Sequence, residues 1–428
     1  MATAQVLARP QARVGMQPRS PHVAFLLGNL SSGGVQRMTG LLAEGLAARG
    51  AEVDLVICDA RGDLRAQLSP AVRMVALQRS NPVVARLTAL RADPQGLAAL
   101  IRPLTTIKYA SPTLSYLPSL ARYLREARPD SLFSATSYLN VEAVLARRLA
   151  RVPTRLVISD RSHFSSGKPR KEWRQRNLVV AMRRAYLQAD AITAVSNGVA
   201  DDIAQSLGIP RESIATLYNP TITPDFAVRA SQPIDHPWFA DGAPPVFLAV
   251  GRMTFQKDFS TLLRAFARVR RDRSVRLVII GEANQKQQAR FLAEASELGV
   301  REGVELLGYR PNPLPYMARA AMLVLSSRYE GFPNVLLEAM ACGTPVVSTA
   351  CPSGPSEILE DGTHGALVPV GDDRALAKAI VATLEHPPDA ARLKVRAAVF
   401  DYDSAIARYE AVLLGDRATG PTLELAQA

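Results

Sequence analysis

The chain has 428 residues, enough for two domains, and its 48% hydrophobic and 21% charged content is ordinary for globular protein. Apolar runs such as Val23–Leu27, Val246–Val250 and Leu277–Ile280 are far too short to span a bilayer, and Cys58, Cys342 and Cys351, without ligand spacing, argue against a disulfide framework or zinc site and for a reducing compartment. The net charge of +12 is uneven: residues 1–230 hold 30 Lys+Arg against 16 Asp+Glu, residues 231–428 hold 21 against 23, so an anionic partner belongs with the first half.

Residues 1–20 contain Arg9, Arg13 and Arg19 but no acid and no apolar core, which predicts a disordered tail rather than a signal peptide. Val23 to Leu27 reads as a buried strand, and the run Gly28 to Gly34 as a turn. Val35, Met38, Leu42 and Leu46 mark a helix that stops at Gly50, and Val53–Ile57 is the next strand. This is a βαβ opening. Gly33 and Gly34 let the backbone approach a ligand, although G-x-G-x-x-G is not met. Pro82, Pro94 and Pro103 divide residues 61–110 into short helical segments and loops.

A helix over Leu117–Ala127, a strand over Ser131–Ser134, a helix over Val141–Leu149 and a strand over Arg155–Ile158 follow. Ser159-Asp160-Arg161-Ser162-His163 leaves the C-terminal end of that strand, where open α/β sheets bind ligands. His163 is there either a packing or surface residue, or a proton handler or acceptor contact. Arg161 is suited to an acceptor phosphate. From Arg161 to Arg184 there are eight Lys/Arg and one acid, Glu172, with Phe164 and Trp173 among them. Such a stretch is a solvated helix face or, the preferred reading, a surface for an anionic membrane or a phosphate-bearing acceptor. No nucleic-acid-binding module accompanies it.

Ala191–Val195 reads as a strand, Ser196 as an N-cap, Val199–Leu207 as a helix ending at Gly208, and Ser213–Leu217 as a further strand. Prolines then cluster from Pro220 to Pro245. The expected organisation is an N-terminal domain over 21–225, a linker over 226–245, a second domain over 246–388, helices over 389–414 that could cross back, and a tail over 415–428. The second domain restarts with a strand over Val246–Val250. Arg252 and Lys257 follow its C-terminal end and can reach a diphosphate. Strands over Val275–Ile280 and Val304–Leu306 come next, the latter leading into Gly308-Tyr309-Arg310-Pro311.

Met322–Leu325 is a short run for a strand buried on both faces. Pro333 fits the first helical position, Val335, Leu336, Ala339 and Met340 form an apolar face, and Gly343 is the stop. That helix start offers free N–H groups from Asn334 and Val335 onward, a natural seat for a phosphate. Glu338 could accept hydrogen bonds from two ribose hydroxyls, and Glu330 from those of a sugar. Taken bare, the two are one helical-face Glu and one loop Glu.

In this setting, the stretch from Ala321 to Pro345 resembles the E-x7-E element of the retaining nucleotide-sugar glycosyltransferases of family four, which have the GT-B fold. Glu330, Gly331, Phe332, Glu338, Ala339, Gly343 and Pro345 fall where that family has them. The resemblance covers Val246 to Asp372 closely and the N-terminal half more loosely. It implies an α/β protein of two doubly wound, Rossmann-like domains facing across a cleft. It implies Arg252, Lys257 and Glu330 as catalytic residues and Gly33, Gly34, Tyr309, Arg310, Phe332, Asn334, Val335 and Glu338 as donor-binding ones. Gln36-Arg37 stands where many members have Glu-Arg. Asp160, Arg161 and His163 would face the acceptor, in a register that departs from the family's, and Glu282 replaces a usual glycine with no assigned role. The implied chemistry is retaining transfer by front-face attack, without metal or cofactor, from a UDP-hexose or UDP-N-acetylhexosamine. The acceptor would be a saccharide or lipid-linked saccharide of an envelope or capsule polysaccharide or a glycolipid, at the inner face of the cytoplasmic membrane. A nonenzymatic sugar-nucleotide or polyanion binder and a GT-B sugar-nucleotide epimerase are the alternatives.

Overall fold

The computed structural model describes residues 19–31, 33–62, 64–65, 68–94, 112–166 and 172–415, the side chains of 112 and 172–177 excepted. Two parallel sheets carry them. The first holds β1 (His22–Asn29), β2 (Glu52–Asp59), β3 (Val72–Ala76), β4 (Ser131–Ser134), β5 (Arg155–Asp160), β6 (Ala191–Ala194) and β7 (Ile214–Thr216) in the order 3-2-1-4-5-6-7. The second holds β8 (Val246–Val250), β9 (Arg276–Ile280), β10 (Val304–Gly308), β11 (Met322–Leu325), β12 (Val346–Thr349) and β13 (Ala366–Val368) in the order 10-9-8-11-12-13. Their central strands are buried on both faces, which is why they read as unbroken apolar runs. The strand order reverses between β1 and β4 and between β8 and β11, opening a crevice at the strands' C-terminal ends.

The helices of the first half are α1 (Gly34–Ala48), α2 (Pro82–Ala92), α3 (Leu117–Ala127), α4 (Ser137–Ala150), α5 (Glu172–Tyr186), α6 (Asn197–Leu207) and α7 (Phe226–Ala230). Those of the second are α8 (Phe259–Arg270), α9 (Gln285–Glu297), α10 (Leu314–Arg319), α11 (Asn334–Cys342), α12 (Pro355–Leu359), α13 (Asp373–Glu385), α14 (Ala390–Ala398) and α15 (Tyr402–Leu414).

Three local readings change. Residues 72–76, expected as helix or loop, form the edge strand β3; its side chains are largely exposed, so no apolar run marks it. β5 runs on to Asp160, with Ser159 and Asp160 paired to Thr193 and Ala194. Pro333 is the N-cap of α11 rather than its first residue.

Much of 226–245 lies on the second domain. α7 packs against α10, the Asn312 side-chain amide donates to the Arg229 carbonyl at 2.8 Å, and Arg276 stacks on Trp238 at 4.8 Å. α14 packs on α11, and α15 crosses to the first domain after a bridge between Ile222 and Asp401. There the Tyr402 hydroxyl donates to the Leu41 carbonyl at 3.1 Å, Arg155 Nε to the Val412 carbonyl at 2.9 Å, and Arg49 pairs with Glu410 at 2.7 Å. Ile406, Tyr409 and Leu413 are buried, each contributing about 2 kcal/mol to the docking. A Cβ at Gly45 would lie 2.5 Å from Ile406 Cδ1, so this close approach requires glycine. All three cysteines are free, and burial pushes each thiol up to about 12. Among the described residues no helix is long and apolar enough to cross a membrane.

Candidate active site

The site assembles where both strand orders reverse. In the second domain, the loop after β8 is stitched to the loop after β11. The Ser326 hydroxyl donates to the Lys257 carbonyl at 2.8 Å, the Arg328 N–H to the Gln256 carbonyl at 2.7 Å, and the Gln256 amide to the Tyr329 carbonyl at 3.0 Å. Arg328 also pairs with Asp258 at 2.8 Å and covers the Phe255 ring. These ties bring Lys257 Nζ to 2.7 Å from Glu330 Oε1. The same oxygen accepts from the Ser327 hydroxyl at 2.5 Å, and Oε2 from the Gln256 amide at 3.2 Å. Glu330 is only 6% exposed, so this donor set offsets the desolvation of its carboxylate. Arg252, on the same loop, is exposed and pairs with no described residue.

No side chain caps α11, which leaves the first amides of that helix without a side-chain acceptor. Its approach is fixed from behind: the Ser353 hydroxyl donates to the Glu330 carbonyl at 2.8 Å, and a Cβ on Gly354 (φ +90°) would lie 2.4 Å from Pro333 Cδ. One turn in, Glu338 is 2% exposed and pairs with Arg37 Nη1 at 3.1 Å. Arg37 belongs to the first turn of α1, whose N-cap is Gly33. The Gly33-Gly34 turn therefore faces α11 across the crevice, with Arg37 and Glu338 as the bridge. A Cβ on Gly34 would meet nothing within 4 Å, so no protein contact demands glycine there. Sequence reasoning assigned Arg37 no role; its position just after the paired glycines was the available signal.

The acceptor-side residues behave differently. Asp160 is turned into the domain, accepting from the Tyr186 hydroxyl at 2.8 Å and the Ser137 hydroxyl at 3.2 Å, and burial pushes its carboxyl up to about 6. Arg161 is also held inward. Its guanidinium donates to Asn219 Oδ1 at 2.5 Å and to the Tyr409 hydroxyl at 3.1 Å, and stacks on Phe133 and Tyr409. These two expectations are corrected, because strand extension and the α15 crossing take both side chains. His163 does come to the seam, its N–H donating to the Glu330 carbonyl at 3.2 Å and its Nδ1 lying 3.0 Å from the Ser166 hydroxyl.

Phe332 requires a correction too. Its ring packs between Tyr218 and Phe400, at 5.0 and 5.5 Å, so it is taken up by protein contacts rather than presented to a ligand. Asn334 Oδ1 accepts from the Asn219 side-chain amide at 2.8 Å beside the same cluster. Tyr309 and Arg310 are exposed beside edge strand β10 and make no hydrogen bond to Glu330 or Glu338. Of the basic stretch, Arg184 pairs with Asp93 at 2.9 Å and Arg161 is internal, while Lys168, Arg170, Lys171 and the side chains of Arg174 and Arg176 fall outside the described residues.

Sequence reasoning also missed the seam. The Ser196 hydroxyl donates to the Gly331 carbonyl at 2.7 Å. The Glu357 carboxylate accepts from the N–H groups of Asn197 and Gly198, both at 2.9 Å, and so caps the N-terminus of α6 from the opposite domain. Neither Ser196 nor Glu357 stands in a pattern that names its partner.

Two doubly wound domains with a lysine–glutamate pair and an uncapped helix start facing a glycine turn define a GT-B glycosyltransferase. Residues 33–220 match the model of the glycosyl transferase 4-like domain and residues 244–386 that of glycosyl transferases group 1, and the chain belongs to this glycosyltransferase family. It is 31% identical over 281 residues to N-acetylgalactosamine-N,N'-diacetylbacillosaminyl-diphospho-undecaprenol 4-alpha-N-acetylgalactosaminyltransferase of Campylobacter jejuni, covering 64% of this chain and 74% of that one. It is 34% identical over 195 residues to the lipopolysaccharide core biosynthesis glycosyltransferase LpsE of Rhizobium meliloti, covering 46% of this chain and 54% of that one. The fold is shared with HepE of Anabaena in complex with UDP and glucose (TM-score 0.71, 20% identity, 92% of this chain and 100% of that one). A glycosyltransferase of Rickettsia africae is similar as well (TM-score 0.72, 14% identity, 94% and 99%).

Proposed function

We propose that this glycosyltransferase moves a sugar from a UDP-sugar, a UDP-hexose or UDP-N-acetylhexosamine, to a lipid-linked saccharide with retention of anomeric configuration. The observation that carries the reading is the Lys257–Glu330 pair beside the uncapped start of α11, with Glu338 on the same helix. Leaving-group charge develops on the donor diphosphate, and Lys257, Arg252 and the amides of Asn334 and Val335 are the groups that would stabilise it. Glu330 would hold the donor sugar's hydroxyls, and Glu338 the ribose hydroxyls once Arg37 moves aside.

No side chain is assigned as a nucleophile. In this reading the acceptor attacks from the face the diphosphate leaves, and its proton passes to the departing phosphate oxygen. Cationic side chains and the helix start would do the work of a metal. A uridine donor is supported by the likeness to HepE, solved with UDP and glucose, and a lipid-linked acceptor by the Campylobacter relative, whose name specifies a diphospho-undecaprenol. Such an acceptor would place the protein at the cytoplasmic membrane, with the basic first domain toward it.

The test is product stereochemistry. An α-linked UDP-sugar should yield an α-glycoside in the presence of chelator, read from the anomeric proton by NMR. A β-glycoside, or an absolute need for divalent metal, would overturn the proposed mechanism.

A further inference from the structure

Arg37 stands where a cation is electrostatically out of place. It lies in the first turn of α1, after the N-cap Gly33, and the amide end of a helix repels positive charge. No side chain caps α1 and no acid occupies its first turn, so nothing in that turn offsets the guanidinium. The offset comes from the other domain. Arg37 Nη1 lies 3.1 Å from Glu338 Oε1, and the two side chains are 33% and 2% exposed. Gly34 and Arg37, three residues apart, share a face of α1, so the open side of the glycine turn is directed at α11 as well.

The charges at the crevice are matched in pairs. Lys257 is taken by Glu330 at 2.7 Å and Arg37 by Glu338, while Arg252 pairs with no described residue. A nucleotide-sugar carries a charge on each of its two phosphates, so Arg252 alone falls short of them. Ribose hydroxyls on Glu338 change this count. They donate to the carboxylate in place of the guanidinium and set Arg37 free one helical turn, about 5 Å, from the start of α11. Ribose and diphosphate are joined through C5′, so a ligand whose ribose sits on Glu338 brings its phosphates within reach of Arg37. A guanidinium grips phosphate oxygens with two parallel N–H groups.

We propose that Arg37 exchanges partners as the donor binds. It neutralises the buried Glu338 and, once the ribose hydroxyls take that carboxylate, passes to the donor diphosphate. The proposal rests on the functional reading that puts the ribose on Glu338, and adds to it a diphosphate contact supplied by the first domain. The domains stay tied throughout, first through Glu338 and then through the donor. The exchange also sets the two halves of the nucleotide apart: the nucleoside competes with Arg37, whereas the diphosphate recruits it.

Calorimetry of the full chain with uridine and, separately, with UDP reads the two halves. Arg37→Met keeps the stem of the side chain and removes its cation. Uridine should then bind about threefold tighter or more, because its competitor for Glu338 is gone. UDP should bind on the order of tenfold more weakly, because a charged contact to phosphate is lost. Thermal unfolding checks that the variant is folded. If it is not, Arg37→Lys takes its place, keeping a cation without the planar fork, and the ratio of UDP to uridine affinity should still fall by about threefold or more. Both affinities rising in Arg37→Met would make Arg37 a competitor alone. Both falling, or an unchanged ratio in the folded variant, would make it a fixed tie between the domains. Either result overturns the proposal. A wild type that binds neither uridine nor UDP overturns the functional reading together with the proposal, whereas a wild type that binds both, with an unchanged ratio in the variant, counts against Arg37 alone.

Discussion

Replacing Lys257 by methionine keeps most of the side-chain volume and removes the charge. In the structure Lys257 Nζ lies 2.7 Å from Glu330 Oε1, and the two side chains are 17% and 8% exposed. Removing one partner of a buried pair costs about 3–5 kcal/mol, because the other charge is left uncompensated. Ser327 and Gln256 still hold the Glu330 carboxylate, which brings the expectation to about 2–3 kcal/mol. At roughly 2–4 °C per kcal/mol, the melting temperature should fall by roughly 4–12 °C. Transfer should fall further, with kcat/KM down on the order of 10²-fold, since in the proposed reaction the cation also stabilises the leaving diphosphate. The double variant Lys257→Met/Glu330→Gln removes the orphaned charge, so it should regain about half of the lost stability, roughly 1–2 kcal/mol, and none of the activity. Thermal unfolding of the wild type, both single variants and the double, alongside initial rates, completes the cycle. A double variant whose loss equals the sum of the two single losses would show that the two side chains are not energetically coupled. Near wild-type turnover in Lys257→Met would remove the lysine from the reaction.

Glu338→Gln should weaken UDP binding by about 1–3 kcal/mol and reduce the preference for UDP over its 2′-deoxy analogue; calorimetry showing an unchanged preference would place the ribose elsewhere. Asp160 supplies a pH test. Burial lifts its carboxyl to about 6 in the folded protein, above the ordinary 3.8. In that window the folded state binds the proton more tightly than the unfolded state, so stability falls as pH rises through it and levels off above. Asp160→Asn retains partners for Tyr186 and Ser137 without the charge, so relative to wild type it should be more stable at about pH 7 than at about pH 4, by roughly 1–3 kcal/mol. Identical pH profiles of melting temperature for the two proteins would refute this.

Much of the framework was legible because it depends on local physics. The runs at β4, β8 and β11, helix α3, the Ser196 cap and the Gly208 and Gly343 stops are set by burial period, backbone sterics and hydrogen bonds within a few residues. Glu330, Lys257 and Glu338 stood out because a strand end and a helix start hold them. Edge strand β3 was not legible, since an edge does not require an unbroken apolar run. Side-chain direction at the crevice was not legible either. Two more residues of pairing in β5 enclose Asp160 between Tyr186 and Ser137, and the crossing of α15 gives Arg161 the Tyr409 hydroxyl instead of an acceptor. Arg37 meets Glu338, and Glu357 caps α6, only because the two sheets face one another across the crevice. Periodicity reports whether a position is inside or outside its own element. The partner of a buried charge is chosen by whichever donor another element brings within about 3 Å, and that distance exists only once the domains have docked.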